Sequence, residues 1–139
     1  MSATSRPSLP AAALELLAKS DAELVAATLA SEPADRLWHA HMAALRAGAA
    51  LLHATGRPAR RGVRTVWDMV AVAEPELAGR AAFFADNAAA RSAVEAGRRH
   101  VVDEDRAERA VAEAEDFHAA VRARLGLTAG DVSQLRFAS

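Results

Sequence analysis

The chain has 139 residues, a net charge of −1, just over half of its residues apolar, and no cysteine or tyrosine. That length fits one domain with a real core, and the near-zero charge gives no whole-molecule field demanding nucleic acid or a membrane. Without cysteine there are no disulfides, no thiolate catalysis and no zinc–thiolate centre.

Alanine makes up roughly a quarter of the chain and isoleucine is absent. Alanine has the highest helix propensity of any residue, apolar residues recur at helical spacing, and almost no stretch alternates as a strand would. An all-α bundle is the expectation. Its few large anchors would be Trp38, Trp67, Phe83, Phe84 and Phe117. Lys19 is the only lysine against sixteen arginines, which reads as codon bias in a GC-rich genome rather than selected arginine chemistry. Residues 1–10 are polar and proline-containing, unlike a signal peptide, and are expected to form a flexible N-terminus. No uncharged apolar stretch reaches the ~20 residues needed to cross a bilayer. A cytoplasmic protein with no membrane partner follows as the expectation.

The bundle should span residues 11–127, with 128–139 as a C-terminal tail. Ser8 is placed to cap the first helix, with Pro10 in its opening turn. Leu14, Leu17, Leu24, Val25 and Leu29 give this helix one apolar side. Ser20 and Glu23 also fit a capping box, but no Gly or Pro intervenes, so a continuous helix with Ser20 facing water is expected. Ser31-Glu32-Pro33 opens a second helix, striped by Leu37, His41, Ala44, Leu45, Gly48 and Leu52, widened by Trp38 and Met42, and closed by Gly56. Thr65 and Asp68 signal a short helix from Val66 to about Ala73, after which Pro75 kinks or restarts the chain. Leu77, Ala81, Phe84 and Ala88 carry an apolar side toward Gly97. Asp103 starts the last long helix, with Glu104 and Asp105 at the positive end of its dipole. Ala107, Ala110, Ala114, Phe117, Val121 and Leu125 stripe it, and Gly126-Leu127 resembles a Schellman stop.

The run from Trp38 to Leu52, followed by Val66-Trp67-Asp68-Met69-Val70, Pro75-Glu76-Leu77 and Ala81-Ala82-Phe83-Phe84, resembles HEPN domains (higher eukaryotes and prokaryotes nucleotide-binding). Together these segments resemble a small HEPN family from high-GC Gram-positive bacteria, and the likeness spans about Ala12 to Leu127. It implies a four- to five-helix up-and-down bundle that often pairs with itself. Many HEPN proteins are metal-independent ribonucleases, in which an arginine is followed after four to six residues by a histidine near the start of a late helix. Arginine there steadies phosphate charge and histidine moves the 2′-hydroxyl proton. In this chain the late helix holds Arg106 and Arg109, while His100 and His118 stand at other distances. The spacing recurs at Arg36/His41 and at Arg46/His53, about as often as chance gives. Arg36 and His41 are the catalytic candidates, although His41 falls on the core stripe, where a neutral buried histidine is the ordinary outcome.

Glu115 and His118, three apart, have half the spacing of a di-iron bundle, and Asp35/His39 stand on another helix. Such centres need two Glu-x-x-His units, so no metal or other cofactor is assigned. The positive clusters are Arg57, Arg60, Arg61 and Arg64 in one loop and Arg98 and Arg99 beside His100, candidates for gripping phosphate. Adjacent aromatics on a helix cannot both enter one core, so Phe83 is expected to face a partner beside core-facing Phe84. The expectation is thus a non-catalytic HEPN-like module that associates with itself, as a homodimer, or with a partner. RNA or a nucleic-acid-associated protein is the partner class, and a stress-response setting follows by analogy with other HEPN families. The alternative is a ribonuclease or RNA-binding protein with an atypical Arg–His pair.

Overall fold

A computed structural model describes residues 8–56 and 65–127. They form α1 (Ala11–Leu29), α2 (Pro33–Thr55), α3 (Val66–Ala73), α4 (Ala78–Asp86), α5 (Ala88–Glu95) and α6 (Glu104–Arg124), with single 3-10 turns at Pro75–Leu77 and Arg99–Val101. Across Asn87 the helical bonding continues, from Asn87 N–H to the Phe83 carbonyl and from Arg91 N–H to the Asn87 carbonyl. Counting α4 and α5 as one rod leaves five helices, and no strand occurs among the described residues.

Local chemistry sets most of the ends. The Thr65 hydroxyl accepts from Asp68 N–H at 3.0 Å and the Asp103 carboxylate from Arg106 N–H at 2.8 Å, so both predicted N-caps form. At the end of α6, Leu127 N–H bonds the Arg122 carbonyl and Gly126 N–H the Ala123 carbonyl, with Gly126 at φ +73°. This is the predicted Schellman stop. Ser8 does not cap α1. Pro10 occupies that position, with no side-chain bond, because the helix begins at Ala11. Pro75, which lacks the N–H to continue α3, restarts the chain through a 3-10 turn.

Paired side chains trace the topology. Ser20 of α1 meets Ala43 of α2 midway along an antiparallel hairpin. Arg36 meets Glu104 at one end of α2 and α6, and Gly48, further along α2, lies near Phe117, further along α6, so these two run parallel. Arg80 reaches Glu113 and Asp116, and Arg106 reaches Asn87, so the α4–α5 rod returns antiparallel to α6. A Cβ at Gly48 would come within 3.0 Å of Val66 and 3.4 Å of Val70. The missing side chain lets α3 seat closely on α2.

The aromatic core is Trp67, Phe84 and Phe117. Trp67 stacks on Phe84 with centroids 5.1 Å apart, and Phe117 lies 5.8 Å from Phe84. Leu17, Leu37, Leu51, Leu52, Val70 and Val121 surround them. Trp38 is not part of this core, contrary to expectation. It is half-buried, and its indole N–H donates to Glu95 at 2.9 Å. The need to satisfy that N–H holds the ring at the rim, where a carboxylate is available.

Ser20 is the larger departure. α1 is continuous, as predicted, but Ser20 is fully buried rather than facing water. The dry α1–α2–α6 seam holds a polar partner for it on each side.

Candidate functional site

The arginine–histidine pair singled out by spacing does not converge within the protomer. Five residues turn an α-helix by roughly 140° beyond a full circle, which sends Arg36 and His41 to different sides of α2. Arg36 binds Glu104 at 2.6 Å beside α6. His41 lies in the aromatic core, edge-on to Trp67 and Phe84 at 5.7 and 5.8 Å with interplanar angles of 87° and 88°. Its Nε2 has no hydrogen-bond partner among the described residues. Burial, reinforced by the Arg91 charge and opposed by Glu95, lowers its pKa from 6.5 to about 4. The ring is 2% exposed, so its Nε2 faces the core and not solvent. Of the second pair, Arg46 is half-buried and His53 exposed.

Arg57, Arg60, Arg61 and Arg64 lie outside the described residues. Arg98 is exposed and forms no ion pair among the described residues. Arg99 is bound by Glu32 at 2.9 Å and Asp35 at 3.0 Å; these hydrogen bonds, Asp35 first, raise its pKa. Its charge is neutralised locally and does not add to that of Arg98. Phe83 is not the exposed aromatic expected. It is half-buried, edge-on to Phe84 at 5.1 Å, with the Arg109 guanidinium 5.4 Å over its ring. The exposed large apolar side chains are instead Val25 and Leu29, at 51% and 78%. Both were read as core-facing; α2 and α6 take the other side of α1, where Ala13, Leu17, Ser20 and Ala27 are buried.

Sequence reasoning also missed a buried polar chain. The Ser20 hydroxyl donates to the Ala43 carbonyl at 2.7 Å and lies 2.7 Å from Nδ1 of His118. Its one proton is spent on Ala43, so Nδ1–H donates to Ser20, and Nε2 accepts from Arg122 Nη1–H at 3.2 Å. Burial, then the Arg122 charge, lower His118 to about 4, with Asp21 opposing. Although serine and histidine touch, the proton runs from histidine to serine, the reverse of an activated nucleophile. Both ring nitrogens are occupied, so His118 offers no lone pair to a metal beside Glu115. His39 likewise bonds Glu23 and Asp35 bonds Arg99.

A groove of about 280 Å³ runs between α1 and α6, lined by Ala27, Thr28, Arg36, Glu108, Val111, Ala112 and Glu115. No described helix is long and apolar enough to cross a membrane.

The described residues thus define an all-helical bundle in which His41 and His118 are buried and whose surface offers apolar and acidic features. A family model described as SAV_6107-like HEPN matches residues 27–122. The chain belongs to this HEPN family. No curated protein and no solved structure shows significant similarity to it.

Proposed function

We propose that this chain is a non-catalytic HEPN module that works by association, forming a homodimer through the outward face of α1. The observation that carries this reading is that α1 is apolar on two sides. One side enters the bundle; the other sets Ala11, Ala18 and Val25 seven apart, with Ala22 and Leu29 alongside. A helix with two apolar faces calls for cover on both, and within the protomer α2 and α6 cover one. Val25 and Leu29 stand a turn apart on this face and are the large exposed apolar side chains among the described residues, as an unfilled interface requires.

Separation of Arg36 from His41, and the inward proton of Ser20, support the non-catalytic part of the reading. Light scattering tests the association. The wild-type chain is expected at twice its mass of 14.6 kDa, and Val25→Glu/Leu29→Glu at one chain mass with its helicity intact. A wild-type monomer, or a double variant that still dimerises, overturns the reading.

A further inference from the structure

We infer that the groove between α1 and α6 is a docking site for a cationic amphipathic helix from another protein. The groove is separate from the α1 face assigned to self-association: it opens on the flank of α1 that carries Ala27 and Thr28. Along α6 its wall is Glu108, Val111, Ala112 and Glu115. That spacing of i, i+3, i+4 and i+7 places an apolar pair between two carboxylates on one helical face. Thr28 donates its hydroxyl to the Leu24 carbonyl at 2.9 Å, so its proton is already used.

The carboxylates decide what kind of helix fits. Glu104 is bound by Arg36, Glu113 by Arg80 and Arg109, and Asp116 by Arg80. Glu108 and Glu115 bind no cation and make no hydrogen bond among the described residues. They stand two turns apart, about 10 Å along the axis. A helix laid in the groove matches them with Lys or Arg at i and i+7, and fills the space over Val111 and Ala112 with apolar side chains at i+3 and i+4. The described helices of a second copy do not meet this requirement. None of them carries two unpaired Arg or Lys seven residues apart: Arg91 and Arg98 have the spacing, but α5 ends at Glu95, and Arg106, Arg109, Arg122 and Arg124 have partners.

Two labelled synthetic peptides of identical composition test the site against the full chain by fluorescence anisotropy. One repeats Lys at i and i+7 with Leu at i+3 and i+4; the other has the same residues scrambled. The ordered peptide is expected to bind at least tenfold more tightly. Glu108→Gln/Glu115→Gln and, independently, Ala112→Arg are expected to weaken it at least tenfold while leaving the mass by light scattering unchanged. Equal binding of the two peptides, or full affinity in both variants, overturns the inference. Loss of dimer mass in Glu108→Gln/Glu115→Gln also overturns it and hands the groove to a second copy. A monomeric wild type that still discriminates the peptides leaves this inference standing while the dimer reading falls.

Discussion

The Ser20 hydroxyl and Nδ1 of His118 lie 2.7 Å apart in the dry seam of the bundle, although 98 positions separate them in the chain. This contact, with the Ala43 carbonyl on one side and Arg122 on the other, ties α1, α2 and α6 together and uses the Ser20 proton and both ring nitrogens of His118. A satisfied buried network favours one packing over its alternatives, and breaking it halfway leaves desolvated polar groups behind.

Ser20→Ala should therefore destabilise the fold by about 1–3 kcal/mol, the usual cost of stranding buried partners. Urea denaturation at pH 7.5 measures it. A variant as stable as wild type would show that the hydroxyl contributes nothing beyond its volume.

Stability should fall on acidification from pH 6.5 toward pH 4. His41 and His118 are both lowered to about 4 in the fold, against 6.5 when unfolded. Between those values the unfolded chain binds the extra protons, so stability rises with pH and is fully present above 6.5. Each histidine contributes on the order of 3 kcal/mol across the window. Urea midpoints from pH 7.5 to 4 check the slope, and His41→Phe should flatten part of it. Midpoints that stay level throughout would contradict the burial of both rings.

Truncation should separate the two adjacent phenylalanines. Phe84→Ala opens the centre of the Trp67–Phe84–Phe117 cluster and should cost about 3–5 kcal/mol. Phe83→Ala removes a half-buried ring under Arg109 and should cost about 1 kcal/mol, with no change in mass by light scattering. Equal losses in thermal unfolding would mean that the two rings share the core.

Labelled RNA incubated with the protein in EDTA should remain intact, because Arg36 and His41 leave α2 on different sides and His41 is shut from solvent. Cleavage abolished by His41→Ala would reinstate the ribonuclease reading.

Much of the fold was legible. Thr65, Asp103 and Gly126 act through neighbours three or four residues away, so their caps can be read directly from the chain. Pro75 breaks a helix wherever it stands. The HEPN resemblance rested on the order and spacing of the apolar motifs between Trp38 and Phe84, and the family match over residues 27–122 agrees with it.

The environments of individual side chains were less legible. A helix apolar on two faces does not declare which one the protomer uses, so Val25 and Leu29 were assigned inward and Ser20 outward. Trp38 and Trp67 are equally hydrophobic on paper. An acceptor at Glu95 drew one to the rim, while Val70 and Phe84 enclosed the other. The spacing of Arg36 and His41 fits a catalytic motif as text but diverges as geometry.

The sequence alone determined the helices, the Thr65 and Asp103 caps and the break at Pro75, because these arise from backbone bonds and steric limits within one or two turns. Tertiary structure decided which histidines are dry, which carboxylates lack cations and which apolar face remains open. Those properties depend on groups that folding brings together from opposite ends of the chain, as it does Ser20 and His118.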